Sequence, residues 1–140
     1  MNDAGLLPEI HRRLHRTLMD GVLSIGAVPG SDDLACSAGI DPAHIPAHLA
    51  ALAAADYLSL DADGRVACLY PFSPTPTLHM VVIGGRRRYA MCSIDALGMA
   101  AMLGQAVEIE SVCADCGTPI RLEVAPGTVI RAQPAETVVL

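Results

Sequence analysis

A change in hydrophobic periodicity at a proline-rich segment is the feature that most constrains the fold of this chain. Before it, apolar residues recur at helical spacing, beginning with Leu6, Leu7, Ile10, Leu14 and Leu18. The segment 71–77 (PFSPTPT) then interrupts regular structure. After it, short apolar runs alternate in the manner of strands. We therefore predict two domains, a helical module at 1–72 and a β-rich core at 73–140.

The first half carries signals for helices followed by a hairpin. Residues 5–24 have the spacing of an amphipathic helix, Ser31 is a favourable N-cap for a short second helix, and Asp41-Pro42 is typical of a third helix start. Two short strands then flank a turn at Asp63-Gly64. Three helices followed by a hairpin is the winged-helix pattern.

The second half predicts strands around one helix. A strand at 78–83 is followed by a charged turn, GGRRR, and by a helix at 92–103. A strand ending at Cys113, a tight turn and returning strands complete the chain. The sequence therefore predicts an α+β fold, with an N-terminal winged-helix-like helical module packed on a mostly antiparallel β core that holds one central helix.

Charge and hydropathy exclude several classes of partner. The net charge is −6, and the would-be recognition helix at 42–57 has neither Arg nor Lys, so we expect no nucleic-acid binding. No apolar run is long enough to cross a membrane, and the N-terminus does not resemble a secretory signal. We therefore expect a cytoplasmic protein. Its 52% hydrophobic content makes a homodimer plausible.

Five cysteines in a cytoplasmic chain suggest thiols, metal ligands or catalysis rather than a disulfide framework. Cys92 stands at a predicted helix start, where free N–H groups and the helix dipole stabilise a thiolate. Asp95, three residues on, shares its helical face and could deliver a proton to something bound on sulfur. The alternative is that Asp95 only caps the helix and Cys92 is a small buried residue.

The pair Cys113 and Cys116, followed by Gly117, has the spacing of a turn that presents two sulfurs to one soft metal ion. A complete zinc site needs more ligands than this turn supplies, and Cys92 could provide a third sulfur. The alternative is two packing thiols. Other residues carry weaker signals and are interpreted as structural: the pair His44 and His48, then His79, Cys36 and Cys68.

These residues resemble a known family. The segment 87–97 (RRYAMCSIDAL) is similar to the segment of organomercurial lyases that carries a catalytic cysteine and, three residues on, a catalytic aspartate. The segment 106–119 (AVEIESVCADCGTP) resembles the family's following strand, structural cysteine and turn. The resemblance implies that thiolates capture the mercury of an organomercury compound and that the carbon is then protonated. Cys92 would be the first thiolate and Asp95 the proton carrier.

The family's second catalytic cysteine lies in a further C-terminal segment, and no residue up to Leu140 matches it, so we expect a short form without that segment. We predict that Cys116, together with Cys113, supplies the missing sulfur. The predicted catalytic residues are thus Cys92, Asp95 and Cys116, and the predicted metal ligands are Cys92, Cys113 and Cys116.

Three functions stay open on this basis. One is a lyase acting on a small organometallic or other small-molecule substrate with no required cofactor. Another is a thiol protein that binds or transfers a soft metal, mercury, zinc or copper. A third is an enzyme of the same fold with non-mercury chemistry.

Overall fold

The computed structural model describes residues 7–139, which divide into two compact units between Leu69 and Tyr70. This division falls three residues before the end of the predicted helical module at residue 72. Within the described chain, no helix has the length and apolar character needed to cross a membrane.

The first unit contains three α-helices and a hairpin, in the predicted order. Its elements are α1 (Glu9–Ile25), α2 (Ser31–Ala38), a 3₁₀ turn (Pro42–His44), α3 (Ile45–Ala54), β1 (Leu58–Leu60) and β2 (Val66–Leu69). The strands pair antiparallel, with Leu58 opposite Leu69. The predicted beginning of the first helix, at residues 5 and 6, lies outside the described residues.

Local signals explain where these helices begin and end. The side chain of Asp41 accepts a hydrogen bond from the Ala43 N–H and so starts the third helical segment as predicted. The predicted N-cap at Ser31 is wrong, because Gly30 occupies the cap position and Ser31 is the first helical residue. Helix α1 ends at Gly26, whose φ of 76° is the left-handed conformation that glycine adopts without strain.

The second unit is an antiparallel sheet with one helix. Its elements are β3 (Phe72–Ser73), β4 (Met80–Ile83), β5 (Arg86–Ala90), α4 (Ser93–Leu103), β6 (Val107–Val112), β7 (Pro119–Ala125) and β8 (Thr128–Gln133). The strand order within this unit is β3-β5-β4-β6-β7-β8, and the recorded pairings are antiparallel. The predicted α+β class, with a mostly antiparallel core and one central helix, is confirmed.

Two strands lie where the sequence predicted turns. The residues Arg86–Ala90 form β5, because Gly84 and Gly85 alone, both at positive φ, make the two-residue turn that joins β4 to β5. Phe72, inside the proline-rich segment, pairs with Ala90 and is 1% exposed. A proline-flanked pair of residues can therefore still form a short strand.

Helix α4 is fixed against the sheet by one apolar face. Ala96, Met99 and Ala100 are buried on it, and the helix contacts β5, β6 and β7. Burying a side chain the size of Met99 contributes roughly 1.5–3 kcal/mol relative to leaving it exposed. Apart from Phe72, the rest of this core is aliphatic, with Val81, Val107, Ile109 and Val124 buried in the sheet. This packing holds the first turn of α4 in place.

Candidate thiol site

Cys92 lies at the N-cap of α4, in extended backbone conformation. The strand before it is held in place, since the Met91 N–H donates to the Pro71 carbonyl at 3.1 Å. The Cys92 sulfur accepts a hydrogen bond from the Asp95 N–H at 3.4 Å, and its carbonyl accepts one from the Ala96 N–H at 3.0 Å. The thiol is exposed to solvent.

Asp95 lies in the first turn of the same helix and is half-buried. The N-cap residue is Cys92, and Asp95 lies in the first turn, where a negative charge also favours the helix dipole. One backbone hydrogen bond thus joins the two predicted catalytic residues. The catalytic roles of the two residues stay a prediction.

Cys113 and Cys116 lie in the turn that joins β6 to β7. The Gly117 N–H donates to the Cys113 carbonyl, and the Cys113 N–H donates to the Thr118 carbonyl, both at 2.9 Å. Gly117 has a φ of 71°, which this turn requires and which a side chain would disfavour. The two bonds fix the turn at both ends. Cys116 is exposed and Cys113 is half-buried.

The environment of Cys116 favours its thiolate. Its sulfur lies 3.0 Å from the Thr118 hydroxyl oxygen. That hydroxyl, then the Thr118 backbone N–H and the neighbouring Cys113 side chain, lower the pKa of Cys116 below its usual value of 9.0. Each of these groups stabilises negative charge on sulfur. Cys116 is therefore suited to act as a nucleophile or a ligand for a soft metal.

A cavity of about 570 Å³ opens beside this turn. Cys113, Cys116 and Thr118 line it, together with Ser93 and Ala96 of α4. Most of the remaining wall is aliphatic: Leu97, Ile109, Ile120, Leu122, Val138 and Val139. A cavity with sulfur in one wall and hydrocarbon around it suits a ligand that has a soft atom and an apolar group.

The predicted residues are only partly brought together. Cys113 and Cys116 share one wall of the cavity, whereas Cys92 and Asp95 lie beside the lining residues Ser93 and Ala96 without lining it themselves. Across residues 7–139, no group of three or more His, Cys, Asp or Glu side chains is arranged to hold a metal ion. The three-thiol centre of Cys92, Cys113 and Cys116 is thus not assembled in this structure and stays a prediction.

The cavity also contains residues that the sequence did not single out for function. His79, interpreted as structural, lines the cavity and is bonded through Nδ1 to the Ser111 hydroxyl at 2.9 Å. Thr118 has its role only because the turn folds its hydroxyl back onto Cys116. Glu136 and Thr137 enter the wall from the segment after β8. The spacing of Thr118, two residues after Cys116, is the one sequence signal that could have indicated such a contact.

In the first unit, His48 pairs with His11 of α1 rather than with His44. The His11 Nε2 and His48 Nδ1 atoms are 3.0 Å apart, and His44 is exposed. Cys68 is buried and bonded to the Ser59 hydroxyl, which agrees with a packing role. Cys36 is exposed, so its interpretation as a packing residue is wrong.

Comparison with known proteins bears on the second unit. Residues 72–140 match the family model described as MerB: Alkylmercury lyase. An alkylmercury lyase of Bacillus cereus is 38% identical over 82 residues, which is 59% of this chain and 37% of that protein. An alkylmercury lyase of Pseudomonas putida is 41% identical over 63 residues, which is 45% of this chain and 30% of that protein. The chain thus spans well under half the length of these relatives.

Among solved structures, a crystal structure of the mercury-bound form of MerB2 is similar, with a TM-score of 0.73 and 26% identity. That match covers 94% of this chain and 63% of the MerB2 chain. The antiparallel sheet, its packed helix and the thiol at the start of that helix define a protein of the MerB fold class. Residues 72–140 therefore form a domain of the alkylmercury lyase family, which confirms the resemblance drawn from the Cys92 segment.

Proposed function

We propose that this chain captures an organomercury compound on cysteine thiolates and cleaves its carbon–mercury bond by protonating the carbon. The observation that carries the proposal is the hydrogen bond from the Asp95 N–H to the Cys92 sulfur at 3.4 Å. This bond belongs to the first turn of α4, in which Asp95 follows the Cys92 thiol by three residues. The match of residues 72–140 to proteins named alkylmercury lyase supports the choice of reaction.

The first step is capture of the metal. The Cys92 thiolate displaces the anion X⁻ from R–Hg–X and forms R–Hg–S, and Asp95 takes the proton that the Cys92 thiol gives up. Mercury is soft and binds sulfur strongly. Cys116, whose proton goes to solvent, then adds its thiolate to the same mercury. Two features support Cys116 in this role: its lowered pKa, and its position in the cavity wall that also contains Ser93, the neighbour of Cys92.

The second step is cleavage of the bond. Two thiolates push electron density through mercury onto carbon, and the electron pair of the carbon–mercury bond takes the proton from Asp95. The products are R–H, mercury held between two sulfurs, and the Asp95 carboxylate. External thiol then removes the mercury. The aliphatic wall formed by residues such as Leu97, Ile109 and Leu122 would receive the organic group R and keep water from it.

A turnover assay with an arylmercury compound, excess thiol and the reduced protein tests the proposal through the hydrocarbon released. A general acid typically contributes about 10²–10⁴-fold in rate. We expect Asp95→Asn to lose hydrocarbon release by about that factor while mercury binding persists. Cys92→Ser and Cys116→Ser should lose both capture and release. Cys36→Ser, which changes an exposed thiol in the first unit, is the matched control and should turn over normally.

The result also separates the lyase from the alternatives. Binding of mercury through the cysteines with no hydrocarbon from any form of the protein would indicate a metal-binding member of the family. Full activity in Cys116→Ser would overturn the assignment of the second thiolate while leaving Cys92 and Asp95 in place. Full activity in Asp95→Asn would overturn the protonation step.

A further inference from the structure

We propose that Cys113 and Cys116 form a reversible disulfide with each other, so that the turn between β6 and β7 is a redox couple as well as a thiol site. The proposal does not depend on mercury chemistry. Its basis is the geometry of the turn, the cavity that both cysteines line and their different exposure. In cytoplasmic proteins such disulfides are typically transient and either catalytic or redox-sensing.

The turn holds the two cysteines at a distance that a disulfide can span. Cys113 and Cys116 are its first and fourth residues, and a tight turn brings such residues to within roughly 7 Å between Cα atoms. That overlaps the range of about 4.4–6.8 Å found across disulfides. The hydrogen bonds from Gly117 to Cys113 and from Cys113 to Thr118, both 2.9 Å, fix the backbone. Both side chains line the same cavity beside the turn.

The two thiols differ in the way that an attacking and a resolving cysteine differ. Cys116 is exposed, so a dissolved oxidant can reach it, and its sulfur is in contact with the Thr118 hydroxyl at 3.0 Å. Cys113 is half-buried beside it. Cys92 is exposed as well, but it lies at the N-terminus of α4 and outside this turn. A sensor thiol that is accessible and has a resolving cysteine next to it forms a disulfide readily.

The oxidant class is a low-molecular-weight disulfide, RS–SR. The Cys116 thiolate attacks one sulfur of RS–SR, the S–S bond breaks, and RS⁻ leaves with the proton that Cys116 lost. Cys113 then attacks the Cys116 sulfur of the mixed disulfide and displaces the second RS⁻, which takes the Cys113 proton. In total, two protein thiols are oxidised to one disulfide and RS–SR is reduced to two RSH. Excess RSH reverses both steps.

Thiol mapping after equilibration with oxidised and reduced glutathione tests this without any mercury compound. The protein is quenched with acid, alkylated and cut after glutamate. Cleavage after Glu110 and Glu123 yields the peptide 111–123, which contains both cysteines, while Cys92 falls in a separate peptide ending at Glu108. We expect this peptide to become lighter by two hydrogens and to resist alkylation in oxidising buffer, and to regain both alkyl groups when the buffer is made reducing.

Matched variants complete the test. Cys113→Ser and Cys116→Ser should each abolish the closed peptide, whereas Cys36→Ser should form it as the parent does. A persistent glutathione adduct on Cys116 without closure would overturn the proposal, as would a disulfide joining Cys92 to the 111–123 peptide. Because the readout is a peptide mass, failure here would leave the lyase assignment standing, and loss of hydrocarbon release would leave this disulfide standing.

Discussion

Two glycines in helix interiors predict opposite effects of the same substitution. Alanine is favoured over glycine in a helix by about 0.8–1.0 kcal/mol. Gly98, in the middle of α4, has nothing within 4 Å of the position a Cβ would take. Gly98→Ala should therefore stabilise the protein by about 1 kcal/mol. Cys92 and Asp95 occupy the start of this helix, so the substitution would stabilise the helix that carries the proposed chemistry.

Gly21 in α1 is the contrasting case. A Cβ there would lie 2.3 Å from Cγ and 2.5 Å from Cδ of Pro29, both far inside van der Waals contact. Overpacking of this kind costs about 1–3 kcal/mol. Subtracting the helix gain of about 1 kcal/mol leaves Gly21→Ala unfavourable by roughly 0–2 kcal/mol. The two variants should thus differ by about 1–3 kcal/mol.

Urea unfolding followed by far-UV circular dichroism measures both changes against the parent protein. The expected result is a higher midpoint for Gly98→Ala and an equal or lower one for Gly21→Ala. Equal stabilisation by the two variants would refute the reasoning, because it would mean that the Pro29 ring does not pack on Gly21.

Further predictions concern one thiol, one histidine and one core residue. Thr118→Val removes the hydroxyl beside Cys116 and should raise the pKa of that thiol. The measurement is the pH midpoint of Cys116 alkylation, which should shift upward. An unchanged midpoint would contradict the contact between the Cys116 sulfur and the Thr118 hydroxyl. Burial lowers the pKa of His15 below 6.5, so the stability that the neutral ring contributes is full above that value and is lost as the pH falls through the folded-state pKa. His15→Gln should therefore lessen the drop in urea midpoint between about pH 7 and about pH 5. An identical drop in the variant would refute this. Met99→Ala should lower the free energy of unfolding, measured by urea titration, by about 2–5 kcal/mol. Met102→Ala, at an exposed position of the same helix, should change it by less than about 0.5 kcal/mol. Similar losses in the two variants would show that α4 packs differently.

The sequence predicted those parts of the fold that local signals determine. The helix predicted at 92–103 is found at Ser93–Leu103, because a capping residue at one end and Gly104 at the other mark its limits. The strand β5 was missed, because three consecutive arginines hide the alternation that indicates a strand. Its pairing with β4 depends on the positive φ values of Gly84 and Gly85, which are a property of the folded turn.

In the candidate site, too, the sequence predicted the local features and missed those that depend on tertiary structure. The spacing of Cys92 and Asp95 was sufficient to predict that they share one helical turn, since a helix brings such residues together. The cavity could not be predicted, because its wall combines His79, which precedes β4, with residues of β6, β7, α4 and the segment after β8. The contact of His79 with Ser111 likewise depends on the registration of β4 beside β6. Such contacts depend on tertiary structure, which periodicity does not encode.

The origin of the hydrogen in the released hydrocarbon tests the central claim most directly. Reduced protein is incubated with a phenylmercury compound and excess thiol in heavy water, and the vapour is examined by mass spectrometry. Protonolysis by an exchangeable carboxyl group predicts benzene that carries one deuterium, released repeatedly by each protein molecule and lost in Asp95→Asn. Mercury bound to the protein with no benzene released would contradict the account.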